Sequence, residues 1–451
     1  MSLTRTLTAT AGRTIAGTAA ALSGRAIAAV AAVGASAAIM LACAGAAQAA
    51  TPSATPSATQ AATQAAPALT FGTLDTQPGT AGAESSAGLQ NAMFEFNWAS
   101  FEPERGVFDA SYLATMQSYL AAYQAAHLNV TLGLGLQNPP SWVFSLPNST
   151  YVNQYGATST EADFVFSQAV RQAAAGYLNQ IAADFPLSSF WAIRLTSGGD
   201  GEMLYPPGGT YWAFDNAALT GVGLAIGMTP DPYPAWRPGQ PGLTPAQVAT
   251  WVNWYIGGLD SVTAWQMSNL KRLGFNGYYE TVTPGSGSLP DYLAATEQQD
   301  LPAADTTAVG AVWNLYYAKL PVKTSVIAYI SSVADESGGN DTCQPGDNAI
   351  PLTSPVIDSW SATRWITRIA NQNHLLVGGE NPGYGIPAAL NSFYTDTSQA
   401  GMMTTAISQA RSCGFTVFYW AHDVHLWDGT VPLSDYTATI SSTASLPGAN
   451  A

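Results

Sequence analysis

Two glutamates stand where the chain is barest of side chains. Glu202 lies in "TSGGDGEMLYPPGG" (196–209), directly after the apolar run "FWAIRLT", and Glu380 lies in "HLLVGGENPGYG" (374–385). Glycines beside a carboxylate let backbone and ligand come close. The chain is only 10% charged, so acids in such places ask for a purpose. A pair of carboxyl groups can divide labour. One, kept protonated, gives a proton to a leaving group; the other, ionised, attacks carbon or activates water.

Such a pair works only if the fold brings it together. After residue 68 the sequence alternates short apolar runs with stretches of helical period. The runs are 69–75, 92–98, 129–136, 190–196, 274–282, 323–331, 374–380 and 414–421. Helical segments are expected in 80–90, from Asp109 to His127, in 160–184, 244–273, 303–319, 358–372 and 398–412, with a poorly periodic tail after the last strand. Eight β-then-α units imply a parallel sheet with right-handed crossovers, closed as a (β/α)8 TIM barrel of the α/β class. An open doubly wound sheet would need a glycine-rich phosphate turn after an early strand, and none is present. The barrel is one domain, 68–451, with a long insertion after strand four. Its sites are built from the C-terminal ends of the strands. Glu202 follows strand four and Glu380 ends strand seven, so both belong to one mouth.

The first fifty residues read differently. Arg5, Arg13 and Arg25 precede the apolar run "AIAAVAAVGASAAIMLACAGA", and "AQAA" closes it with an Ala-x-Ala pattern. Residues 1–50 are an expected secretory signal peptide, with lipid anchoring at Cys43 as a minor variant. Residues 51–67, rich in Thr, Ser, Pro and Ala, are an expected disordered linker. Without the three signal arginines, 11 basic residues face 29 acidic ones, a balance of −18. That surface argues against nucleic acid and anionic membranes as partners and suits a secreted protein with a neutral ligand. Cys343, after strand six, and Cys413, before strand eight, are expected at opposite ends of the barrel. Two free thiols follow, since a disulfide spans no more than about 7 Å between Cα atoms.

Two carboxylates across a barrel mouth, among aromatics, meet the needs of glycosidic bond cleavage. At this point particular residues add to the reading. "WASFEPERGVFD" (98–109), with "NPPSW" after strand three, resembles signatures of clan A glycoside hydrolases, family 42 β-galactosidases being nearest; "GEMLYP" (201–206) is similar to the acid segment of β-amylases. The resemblance implies that Glu202 is the acid/base and Glu380 the nucleophile of a retaining hydrolase, with carbohydrate as partner and no metal or organic cofactor. Glu202 should then have a raised pKa, the charge of Glu380 supplying the push. It also implies an Asn before the acid, holding the sugar 2-hydroxyl; here that residue is Gly201, and Asn381 or Asp200 is the expected substitute. Where the clan carries an Arg on strand two, this chain has Glu95. The alternatives are an inverting, β-amylase-like hydrolase of α-glucans and a carbohydrate-binding barrel without catalysis.

Period two along strand two puts Glu95 and Asn97 on one face and Phe94, Phe96 and Trp98 on the other. The aromatic face should pack on helices, which leaves Glu95 inside the barrel with Arg194 of strand four as its expected ion-pair partner. Glu280, Asp335 and Glu336 are rival carboxylates, with Glu280 expected to touch substrate. Trp142 and Trp420 are expected to stack on a sugar at the mouth, with Asn97, Tyr205 and His422 or Asp423 as further contacts. Trp212 and Trp236, in the insertion, read equally well as a subsite wall or as core. His422 and His425 have no third ligand in view, so no metal is expected; His127 and His374 precede strands and read as structural.

Overall fold

The computed structural model describes residues 68–302, 305–335, 342–385 and 387–444. The expected signal peptide and linker, 1–67, lie outside the described residues, as does Glu336. The barrel strands are β1 (Thr70–Thr73), β2 (Asn91–Glu95), β3 (Asn129–Gly133), β4 (Ala192–Leu195), β5 (Tyr278–Val282), β6 (Val326–Ile330), β7 (Leu376–Glu380) and β8 (Val417–Trp420). All pair in parallel, each with its sequence neighbour, and β1 pairs with β8 to close the ring. The crossover helices are α1 (Ala81–Ser86), α2 (Ala110–Ala125), α3 (Gln168–Asp184), α4 (Pro245–Arg272), α5 (Trp313–Lys319), α6 (Ala362–Gln372), α7 (Met402–Ser412) and α8 (Leu433–Ser442). No helix among the described residues is long and apolar enough to cross a membrane.

Side-chain alternation sorts the strands into two cores. Inside the ring, Val282, Ile327, Tyr329, Val417 and Tyr419 form a small cluster. Outside it, the opposite strand faces join the helices in one large core. Strand two follows its predicted register: Phe94 packs on Tyr123 and Phe185, and Phe96 on Phe101 and Phe185. Strand eight obeys the same rule, with Phe418 and Trp420 outside.

Helix starts follow local chemistry. Asp109 and Ser167 cap α2 and α3 with side-chain oxygens, and Thr244 with Gln247 forms a capping box before Pro245 of α4. Three expectations need correction. Residues 160–167 are not helical: Thr158–Ala162 pairs antiparallel with Thr150–Val152, because "TST" favours a strand and Asp163 turns the chain by accepting from the Val165 and Phe166 amides. In 303–319 the regular crossover helix is only Trp313–Lys319, preceded by one turn at Asp305–Ala308. The tail holds α8, whose polar Ser/Thr content hides its buried face of Tyr436 and Thr439.

The insertion after β4 has its own aromatic core. Tyr205 stacks on Tyr255 at 4.0 Å, Tyr255 on Trp251 at 5.0 Å, and Phe214 and Trp236 close on Trp251. Trp212 and Trp236 are both buried here. They are core, which resolves the two readings left open for them.

The cysteines overturn an expectation. Cys343 and Cys413 form a disulfide, S–S 2.05 Å and Cα–Cα 5.0 Å. The loop after β6 does not stay at the mouth. Residues 342–350 run back along α6, fixed by Arg364 on Asp347 and by Asn371 on Asn348, so Cys343 reaches the end of α7. The bridge spans 70 residues of sequence. A Cys343→Ser/Cys413→Ser pair is expected to unfold at lower denaturant, with a loss of about 4 kcal/mol on the loop-entropy argument. An unchanged midpoint in chemical denaturation would rule that contribution out.

Candidate active site

Glu202 is placed by a tight turn that takes two successive residues through left-handed backbone. The Ser197 amide donates to the Glu202 carbonyl at 3.1 Å, closing a loop in which Asp200 and Gly201 have φ of 56° and 77°. From the hairpin beside it, Glu161 accepts from the Gly199 amide at 2.9 Å, and a Cβ on Gly199 would run into that carboxylate. Below, Gln266 of α4 donates to the Thr196 carbonyl at 2.8 Å, and the Met203 amide donates to the carbonyl of Val282 on β5. The acid therefore sits on a braced loop. Its Oε1 accepts from Ser331 Oγ at 2.9 Å, beyond the end of β6.

Glu380 closes β7, where Gly378 and Gly379 leave no side chain between the backbone and its neighbours; a Cβ on Gly379 would meet the Ile330 carbonyl. Its Oε2 accepts from Tyr329 Oη at 2.6 Å and from Arg194 Nη1 at 3.3 Å. Arg194 also reaches Glu280 through Nε at 3.3 Å, and its guanidinium lies 4.2 Å from the centre of the Tyr329 ring. Glu202, Glu380, Arg194, Asp200, Glu95, Asp75 and Gln137 line one cavity of about 230 Å3 at the C-terminal mouth.

The carboxyl groups differ electrostatically. Burial pushes the Glu202 pKa up to about 7, the Ser331 hydroxyl opposes the rise, and the charge of Glu380 adds to it. The direction matches the expectation, but burial, rather than the neighbouring charge, is its main cause. Glu380 is also raised by burial, with Arg194 and Tyr329 pulling the other way. Burial raises Glu280 to about 7 against the pull of Arg194.

Only some of the expected residues meet at this cavity. Asp200 lines it beside Glu202 and Glu380. Glu280 is fully buried inside the ring behind Arg194, out of reach of a ligand. Arg194 and Glu95 both face inward as expected, yet the ion pair of Arg194 is with Glu280 and Glu380. Glu95 instead folds over Gly133, its register neighbour on β3, and accepts from Gln137 Nε2 at 2.7 Å. The same register makes Arg194 the neighbour of Glu280. Arg194→Met is therefore expected to cost about 3–5 kcal/mol by leaving Glu280 buried and unpaired. Protonation of Glu280 relieves that cost, so the loss in chemical denaturation should be larger well above neutral pH than well below it.

The other expected contacts are structural. Trp420 is fully buried against Tyr394 and Tyr436, because the last residue of β8 points outward to the helices; it offers a sugar no face. Tyr205 is buried in the insertion and donates to the Tyr255 carbonyl. Asn381 is buried and accepts from the Ala421 amide at 2.9 Å, stapling the ends of β7 and β8. Asn97 caps the turn Trp98–Phe101 through the Ser100 amide. Trp142 is half-buried, edge-on to Trp98, with Nε1 donating to the Glu102 carbonyl. His422 lies against Gly383, whose missing Cβ makes room for its ring, and Asp423 is buried. None of these lines the cavity. His425 bonds Asp428, and among the described residues no group of three His, Cys, Asp or Glu side chains could hold a metal. His127 and His374 take left-handed backbone at the turns into β3 and β7.

Tyr329, Ser331, Asp75 and Gln137 were missed. Period two along "VIAYIS" (326–331) sends Ile327, Tyr329 and Ser331 to one face, so the signal for two of them was present. Asp75 and Gln137 just follow β1 and β3, the positions from which barrel sites are drawn.

No protein-family model matches the chain, and no curated protein is similar to it in sequence. Among solved structures, the barrel is similar to the catalytic domain of β-amylase from Paenibacillus polymyxa. The TM-score is 0.53 and the identity 14%, over 84% of this chain and 98% of that one. A β-galactosidase from the psychrophilic Marinomonas ef1 gives a TM-score of 0.49 at 13% identity, over 78% and 54% of the two chains. A GH5-4 broad specificity endoglucanase from an uncultured bacterium gives 0.45 at 13%, over 83% and 86%. At these identities the likeness speaks to the fold, a closed (β/α)8 barrel.

Proposed function

We propose that the chain is a secreted glycoside hydrolase that cleaves O-glycosidic bonds of an oligo- or polysaccharide by a retaining mechanism. One observation carries the reading: Glu202 and Glu380 line one cavity, the first with a pKa of about 7, the second held by a cation and a phenol. In the first step Glu380 attacks the anomeric carbon as Glu202 gives its proton to the departing oxygen. In the second, Glu202, now a carboxylate, takes a proton from water; that water attacks the same carbon and frees Glu380. Tyr329 and Arg194 keep one oxygen of Glu380 engaged, which leaves the other to bond carbon. Secretion rests on the N-terminal pattern of residues 1–50, and a disulfide suits an oxidising compartment.

A second reading is an inverting hydrolase of α-glucans, favoured by "GEMLYP" and by the β-amylase whose barrel this one resembles. Proton NMR of the first-formed sugar, on a panel of glycosides and polysaccharides, separates the two. Retained anomeric configuration is expected, inverted configuration supports the second reading, and a lack of turnover throughout the panel removes both.

A further inference from the structure

Resting on the reading of this cavity as a glycosidase site, we infer that the sugar it takes carries an ammonium group, and that Glu95 is the residue that reads it. The two-step reaction uses Glu202 and Glu380. Three further carboxylates line the same cavity, Asp75, Glu95 and Asp200, and all three are open to solvent. Among the described residues the only cation in the lining is Arg194, already shared between Glu280 and Glu380 and covered by the Tyr329 ring. Among the described residues no Lys, Arg or His lies within ion-pair distance of Asp75, Glu95 or Asp200.

Acidic residues on a surface are usually just solvated. Glu95 differs because the barrel positions it. It ends β2, and its register neighbour on β3 is Gly133. A Cβ on Gly133 would collide with Glu95 Oε2, so the missing side chain is what lets the carboxylate lie across β3. Gln137 fixes Oε1 at 2.7 Å, and Oε2 has no donor among the described residues. A sugar entering the cavity strips water from these anions. Each hydroxyl returns one donor and no charge, whereas an ammonium returns three donors and a positive charge. Uronates and sulfated sugars are repelled by the same wall.

The test compares aryl glycosides that differ only at one position, bearing an ammonium, a hydroxyl or an acetamido group, in gluco and galacto series, at a pH where the amine is charged. The ammonium substrates are expected to exceed the hydroxyl ones in kcat/KM by about tenfold or more. Glu95→Gln should collapse that ratio towards one, and Glu95→Asp should keep part of it. Gly133→Ala, which keeps the charge but displaces the carboxylate, should also lower the ratio. A wild-type preference for hydroxyl or acetamido substrates, or a ratio untouched in Glu95→Gln, overturns the inference. If no glycoside is turned over, the glycosidase reading fails, and saturation-transfer NMR decides the inference separately. Methyl glucosaminide and methyl glucoside are then the probes, on wild type and Glu95→Gln. Binding of the amine that needs Glu95 sustains the inference, and equal binding of both probes ends it.

Discussion

Glu380→Ala is expected to abolish turnover of activated aryl glycosides and of substrates with poor leaving groups alike. No other group can form the covalent intermediate, so the loss should exceed about 10^4-fold, the upper range for losing proton transfer alone. The obvious competitor is Glu280, which also carries a raised pKa and shares Arg194. Its side chain is fully buried and does not line the cavity. Steady-state kinetics of both variants decide the matter. Near-normal rates for Glu380→Ala with a dead Glu280→Ala would move the nucleophile to β5 and dissolve the proposed pairing.

Glu202→Ala should separate substrates by leaving group. Poor leaving groups need the proton that Glu202 gives, so their rate should fall by about 10^2–10^4-fold, while activated aryl glycosides lose far less in the first step. Azide should restore part of the rate on those substrates, by attacking the glycosyl-enzyme where base-assisted water no longer can. The pH profile follows from the same group. The pKa of Glu202 is raised to about 7, so the proton is present below that value and lost above it. In the wild type kcat/KM should be bell-shaped: above about 7 it falls about tenfold per unit as Glu202 loses its proton, and on the acid side it falls again as Glu380 gains one. Glu280 titrates in the same region, yet lies outside the cavity. The alkaline limb should therefore survive in Glu280→Gln and vanish in Glu202→Ala with activated substrates. Persistence of the limb in Glu202→Ala would strip Glu202 of the acid role.

The strands were legible because burial on both faces leaves continuous apolar runs, and because turn residues separate them. The same period-two rule put Phe94 and Phe96 on the helices and Arg194 inside, as observed. It could not say how far a long side chain travels once inside. Arg194 crosses to β5 and β7, while Glu95 drops into the gap over Gly133, and that choice depends on a missing Cβ on the next strand in sequence. Trp420 shows the opposite failing. A mouth position was read from where strand eight ends, although alternation with Tyr419 already sent it outward. The disulfide was invisible for a different reason: loop paths are set by side-chain anchors such as Arg364 on Asp347, which no periodicity records.

The seam between β1 and β8 bears on the order in which this chain can fold. Thr70 pairs with Val417 and Thr73 with Trp420, and Thr70 Oγ1 donates to the Thr416 carbonyl, 346 residues away. Tyr436 of α8 then reaches back to the Gly72 carbonyl and packs its ring edge-on against Phe71. Contacts so distant in sequence form slowly, because loop closure must precede any gain from the pairing. Until residue 420 is available, the growing sheet keeps two bare edges, each able to recruit a stray strand. A ribosome that stalls before residue 420 has emerged would therefore hold a nearly complete but unsealed cylinder. Helix α8 is the clasp that makes the rest of the barrel safe to release.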